Sequence, residues 1–280
     1  MPRRSPEEIE MQLLLEGVMQ RYGQDFRDYA PSSLQRRLQG WLADSGFDGF
    51  SQAQAVVLRD AAVADSLLRG LTVNVSELFR DPPLFRALRE HVMPALRTRR
   101  HARLWVAGCA GGEEVYSLAI LLHEAGLLKR CRLYATDINE QVLQQAREGI
   151  FPIARMRAAT RNYRLAGGQR DFADYYTARY EHALIAPQFK ENVVFAAHNL
   201  VDDAAFAEMD LTLCRNVLIY FKPGLVERVL AKLDAGLNKG GYLGLGEKES
   251  LEHRGIARQY LEVAQGVALY RKHDDQDRQR

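Results

Sequence analysis

Cysteine is scarce in this chain: three residues in 280, Cys109, Cys131 and Cys214, with no C-x-x-C pair and no cysteine–histidine cluster. That excludes a disulfide framework and a zinc site, and leaves the three thiols to pack as small apolar residues. His198 and His253 lack companion ligands, so no metal is expected. Long apolar runs are missing as well. None approaches the ~20 residues of a membrane span, and the opening Met-Pro-Arg-Arg-Ser-Pro-Glu-Glu has no apolar signal core. The expectation is a globular cytoplasmic protein with no direct membrane insertion. Charge of one sign is not in excess either: 38 basic against 36 acidic side chains leave a net +2, which selects no partner class. Hydrophobic residues at 47% are sufficient for well-packed cores.

Against that background one stretch carries the most information. Arg103-Leu-Trp-Val-Ala-Gly-Cys-Ala-Gly-Gly-Glu-Glu-Val-Tyr-Ser117 reads as an apolar strand entering a glycine loop that opens a helix. A second apolar strand, Tyr134-Ala-Thr-Asp-Ile138, ends in a carboxylate. A βαβ unit holds a nucleoside in this way: Gly108, Gly111 and Gly112 permit close backbone approach, and Asp137 accepts from two ribose hydroxyls. The loop argues against a dinucleotide, because Glu113 and Glu114 occupy the first helical turn, where a pyrophosphate would be repelled. A cationic amine is tolerated there, which favours S-adenosylmethionine (SAM).

Periodicity organises the remainder. Ile9, Leu13, Leu14, Val18 and Tyr22 keep a 3.6-residue repeat, and further apolar periodicity around Leu34, Leu38, Leu42, Ala55 and Leu58 predicts about four short helices within residues 1–70. A connecting segment, 71–98, contains Asp81-Pro-Pro83, a helix start. From 99 to 280 strands and helices alternate, with strands at 103–108, 132–137, 192–198, 209–214 and 240–246 and helices at 113–126, 139–148 and 223–236. This predicts an α/β domain with a parallel sheet, closed by an antiparallel hairpin around Leu261–Val263 and Val267–Tyr270. An excess of residues at 151–191 predicts a small inserted antiparallel β-element at about 166–191. Arginines 155, 157, 161, 164 and 170 form an acid-free run, and Arg36-Arg37 sits on a predicted helix; either face suits an acidic protein surface.

Five strings together resemble a known family, the chemotaxis receptor glutamate methyltransferases (CheR). They are Thr72-Val-Asn-Val-Ser-Glu-Leu-Phe-Arg-Asp81, Ala107 to Ser117, Ala135-Thr-Asp-Ile138, His198-Asn-Leu200 and Cys214-Arg-Asn-Val-Leu-Ile-Tyr-Phe221. The resemblance spans nearly the whole chain. It implies a SAM-dependent methyltransferase (Rossmann-like) fold preceded by a small all-helical domain, and a protein-glutamate O-methyltransferase acting on the cytoplasmic methylation region of chemoreceptors, with no nucleic-acid partner. By the same resemblance Asn74, Ser76 and Arg80 face the cofactor, Glu114 lies in the glycine loop, Asp137 holds the ribose, Asn199 and Leu200 flank the adenine, and Arg215 and Asn216 sit beside the cofactor. Arg80 and Tyr220 are the implied pair at the methyl-transfer position. The string Gly244-Leu-Gly-Glu-Lys-Glu-Ser250 departs modestly from the family pattern, and 166–190 shows no clear signature of a receptor-peptide tether.

Overall fold

The computed structural model describes residues 4–72, 76–204, 206 and 208–274. The chain folds as two compact units, one made of the helices up to Leu71 together with residues 219–226, the other of the rest of the chain on either side of that segment. In the first unit α1 (Pro6–Tyr22), α2 (Pro31–Ser45), α3 (Phe50–Val57) and α4 (Ala61–Leu71) follow one another. Their ends are written locally. Ser5 caps α1 in a reciprocal capping box with Glu8, and Pro6 occupies the first turn; Asp60 accepts from the backbone of Ala62 and Val63 at the start of α4. Leu14, Val18, Phe26, Leu38, Phe50, Val57 and Leu67 form this unit's core.

The second unit opens with α5 (Pro82–Ala87), a single π-helical turn at Leu88–Val92 and α6 (Met93–Arg97). The α/β sequence follows: β1 (Ala102–Ala107), α7 (Glu113–Glu124), β2 (Cys131–Asp137), α8 (Glu140–Glu148), β3 (Ile150–Pro152), α9 (Met156–Leu165), β4 (Tyr176–Arg179), β5 (His182–Ile185), β6 (Val193–Ala197), β7 (Met209–Cys214), α10 (Pro223–Gly236), β8 (Leu237–Leu245), β9 (Tyr260–Ala264) and β10 (Val267–Lys272). Seven strands pair in the order β6-β2-β1-β7-β8-β10-β9; the first five run parallel and β10 is antiparallel to both neighbours. The central strands are buried on both faces, as in a helix-covered parallel sheet: every residue of β7 is buried, Asp210 and Thr212 included. The chain reverses its winding between β1 and β7, and the crevice at their carboxyl ends is where such sheets take ligands. The α/β fold and terminal hairpin thus agree with the sequence reading.

The insertion is larger than the sequence implied. A three-stranded antiparallel sheet, β3-β5-β4, begins at Ile150 and is closed by pairing Ile150 with Leu184, so α9 lies inside it. Its core is aromatic. Tyr163, Phe172, Tyr175 and Phe189 are buried, and Glu124 at the end of α7 ties them to the main domain by accepting from Tyr175 Oη at 2.7 Å, Arg89 Nη2 at 2.7 Å and Tyr163 Oη. Burial pushes the Glu124 carboxyl up, but these donors outweigh it and hold its pKa below the ordinary value. Its contribution to stability is therefore complete above the unfolded-state pKa near ~4.3 and is lost as pH falls through the lower folded-state value. Glu124→Gln is expected to cost about 1–3 kcal/mol at pH 7 and to flatten the acid limb of the stability profile, measured by denaturant melts from pH 3 to 7. An unaltered acid limb would remove Glu124 as the clasp.

Candidate functional site

The glycine loop after β1 is built by a donor problem and a space problem. Gly108 and Cys109 both donate their backbone N–H to Thr136 O at 2.8 Å, drawing the loop over the end of β2. Gly108 takes φ 73°, and a side chain there would meet Val217 Cγ2 at 2.5 Å, so glycine is required. Gly112, at φ 89°, ends the loop as the cap of α7.

Asp137 locks this loop to the next one. Its Oδ2 accepts from Ala110 N and its Oδ1 from Asn139 N, each at 3.0 Å, and the residue is 9% exposed. Burial pushes the Asp137 carboxyl up, while the N–H groups of Asn139, Ala110 and Ile138 pull the other way. The Ala110 and Asn139 bonds leave acceptor capacity on the carboxylate, so a ribose hydroxyl remains an acceptable ligand.

At the β1–β7 reversal a buried guanidinium holds three partners. The Arg215 side chain is 1% exposed; Nη1 donates to Glu114 Oε2 at 2.6 Å, and Nη2 donates to Asp81 Oδ2 at 2.6 Å and Arg80 O at 3.0 Å. Arg80 and Asp81 are thereby separated in role: the carboxylate beside Arg80 in sequence pairs with Arg215, and the Arg80 guanidinium has no ion pair among the described residues. Burial pushes the Glu114 carboxyl up, opposed by Arg215. Two buried atoms stay unsatisfied here, the acceptor Glu114 Oε1 and the donor Arg215 Nε. An orphaned carboxylate oxygen and an orphaned guanidinium N–H at one place match the ammonium and carboxylate of an amino-acid moiety, so the chemistry of the site fits the aminoacyl end of SAM.

The segment that carries Arg80 is strained and pinned. Phe79 and Asp81 have φ 53° and 56°, a conformation costly for residues with side chains. Phe79 N donates to Ser117 Oγ at 2.8 Å, Asn162 Nδ2 donates to Leu78 O at 3.3 Å, and the buried Phe79 ring packs edge-on against Tyr163 at 5.2 Å between centroids. Ser76 and Arg80 are half-buried on this segment; Asn74 lies outside the described residues.

Asn216, also at positive φ (58°), follows β7 and donates its backbone N–H to Glu249 Oε2 at 2.9 Å; Gly246 N donates to the same oxygen at 2.6 Å. Buried Glu249 thus clips the ends of β7 and β8 together, and sequence reasoning missed it, together with Asp81 as a partner of Arg215. The only sequence signal for Glu249 was a carboxylate three residues beyond a glycine at a strand end. After β6, Asn199 is committed to its own loop: Oδ1 accepts from Val201 N at 2.9 Å and Nδ2 donates to Asp202 Oδ2 at 2.7 Å, while Leu200 is buried. Tyr220 belongs to the helical unit, where the Arg37 guanidinium lies 4.4 Å from its ring centroid and Arg37 also donates to Leu71 O. Arg37 is therefore a packed residue, which corrects the reading of Arg36-Arg37 as a free docking pair; only Arg36 is exposed. The three cysteines are buried and unpaired, and the described residues include no cluster of three or more histidine, cysteine or acidic side chains able to hold a metal.

With this geometry in view, comparison with known proteins is specific. Residues 9–72 match the all-alpha domain of CheR methyltransferases and residues 74–267 match their SAM-binding domain. The chain is 44% identical over 265 residues to a Pseudomonas putida protein named as the methyltransferase Cher3, covering 95% of this chain and 97% of that one. It is 28% identical over 231 residues to a chemotaxis protein methyltransferase of Listeria monocytogenes, covering 82% and 85%, and 29% identical over 246 residues to chemotaxis protein methyltransferase 1 of Pseudomonas aeruginosa, covering 84% and 87%. Two family domains in the right order, over a sheet whose switch point holds the amino-acid-matching pair Glu114 and Arg215, leave one assignment: the chain is a SAM-dependent methyltransferase and belongs to the CheR methyltransferase family.

Proposed function

We propose that the protein transfers the methyl group of SAM to glutamate side-chain carboxylates in the cytoplasmic methylation region of chemoreceptors. The observation that carries the reading is the pair of orphaned atoms, Glu114 Oε1 and Arg215 Nε, together with the buried carboxylate of Asp137 at the end of β2. When bound, SAM supplies a methyl group already activated on a sulfonium. A glutamate carboxylate, ionised at neutral pH, is nucleophile enough, and no general base is needed. With SAM held by Glu114, Arg215 and Asp137, a carboxylate oxygen would accept the methyl group while the carbon–sulfur electron pair would go to sulfur. What remains for the protein is alignment and charge management. Glu114 and Arg215 take the aminoacyl end, Asp137 the ribose, and the loop of Asn199 and Leu200 the adenine edge. Asn74, Ser76 and Arg80 belong to the cofactor-facing linker and Asn216 to the strand end beside it. Arg80, which has no ion pair among the described residues, orients the incoming carboxylate by charge-assisted hydrogen bonds. By family resemblance Tyr220 serves the same step.

The test is transfer of radiolabelled methyl to membranes containing a chemoreceptor, followed by mild alkali. A carboxyl methyl ester releases its label as methanol; a label stable to alkali excludes the ester. Tight SAM binding with no transfer to any receptor would instead favour a cofactor-sensing adaptor. Asp137→Ala is expected to weaken SAM binding by about 2–3 kcal/mol in calorimetry, since hydrogen bonds to a charged group contribute ~1.5–3 kcal/mol. Unchanged affinity would remove Asp137 as the ribose ligand.

A further inference from the structure

Helix α9 divides its side chains sharply. Met156, Ala159, Asn162 and Tyr163 are buried, while Arg157, Arg161 and Arg164 stand exposed at i, i+4 and i+7. These three make one stripe, ~10 Å long at 1.5 Å rise per residue. None has an ion-pair partner among the described residues. Arg155, just before the helix, differs: it pairs with Glu113 at 3.3 Å and so belongs to the glycine loop. The nearest acids in sequence after the stripe, Asp171 and Asp174, come beyond a further arginine, Arg170, and Asp171 is turned to capping Ala173 N at 3.0 Å. Beside the arginines Ala158 is small and exposed, and Leu165 is 52% exposed, so the face offers room for close approach and an apolar contact at its end. It is also fixed in place. Asn162 and Tyr163 hold the segment that carries Arg80, and Arg86 Nη2 donates to Leu165 O at 2.6 Å.

Three like charges on one rigid stripe, without ion-pair partners among the described residues, cost stability by self-repulsion. A partner of opposite sign recovers it. We infer that the Arg157-Arg161-Arg164 stripe is a docking surface for an acid-rich α-helix, whose carboxylates at i, i+4 and i+7 match the arginines in spacing. The inference rests on the proposed methylation of glutamate-bearing receptor helices and names the surface of the enzyme that would engage them. A narrow ridge suits a rod rather than a planar anionic membrane. Attraction at this range acts on encounter and apparent affinity, and fades as the Debye length falls from ~10 Å at 0.1 M salt to ~3 Å at 1 M.

The experiment compares the wild type with R157E/R161E/R164E and with R157K/R161K/R164K, using the cytoplasmic fragment of a chemoreceptor as substrate. The charge-reversed variant is expected to bind SAM with wild-type affinity, to reach the wild-type kcat at saturating receptor, and to show KM raised about tenfold or more at low salt with its salt dependence flattened. The lysine variant keeps the charge and should keep the KM. Retained SAM affinity in both variants establishes that they fold. A wild-type KM in the reversed variant overturns the docking surface while leaving the methylation reading intact. Loss of binding to vesicles of anionic lipid with no change in receptor KM would assign the stripe to a membrane and likewise overturn it. If the wild-type enzyme itself transfers no methyl to receptor, the functional reading falls and the docking surface with it.

Discussion

Arg215→Ala is expected to abolish measurable SAM binding and to destabilise the second unit by about 3–5 kcal/mol, the range for removing one partner of a buried charge cluster. The geometry explains the size. A single guanidinium, 1% exposed, satisfies Asp81, Glu114 and the Arg80 carbonyl at 2.6–3.0 Å and lies 5.8 Å from the centre of the Phe85 ring. Without it two carboxylates face one another with little solvent, and the strained turn at Asp81 loses the contact that holds it. Arg215→Lys keeps the charge but not the fork, so it should recover part of the stability and little of the SAM affinity. Denaturant melts and calorimetry separate the two effects. A variant with native stability and native SAM affinity would show that the cluster is neither structural nor part of the cofactor site.

Arg80→Ala is expected to lower kcat by about 10²–10³, the scale on which removal of one preorganised electrostatic group acts, while the SAM dissociation constant moves by less than a few-fold. The separation follows from how the segment is held. Backbone and neighbours do the holding: Phe79 N on Ser117, Leu78 O on Asn162, Arg80 O on Arg215. The Arg80 side chain has no ion pair among the described residues and so is available to an incoming carboxylate. Equal losses in kcat and SAM affinity would make Arg80 a cofactor ligand instead.

Some of this was legible in the residues alone because the signals are short-range. Ser5 with Glu8, Asp60 before α4 and Asn139 before α8 announce helix starts within three residues of themselves. The loop from Gly108 to Gly112 and the carboxylate at the end of β2 lie within one βαβ unit, so their joint role is visible at a spacing of about 30 residues. The five family strings carried the catalytic class and the cofactor on the same local terms.

Tertiary structure decided what depends on pairing across the chain. Ile150 meets Leu184 to close the inserted sheet, a registry between distant residues that no local pattern encodes. Arg215 chooses Asp81 and Glu114 across separations of 134 and 101 residues, leaving Arg80 without the adjacent acid that sequence proximity had offered it. Glu249 serves the backbone of Asn216 and Gly246, and a backbone N–H carries no sequence signature. Arg36 and Arg37 are adjacent and chemically identical, yet helix geometry packs one on Tyr220 and leaves the other exposed. The sequence by itself determined the sheet, the glycine loop, the cofactor and the family, because periodicity and capping act over a few residues. Which charges are spent in ion pairs and which have none among the described residues was decided only by folding, because burial sets the strength of an ion pair and burial is a property of the whole chain.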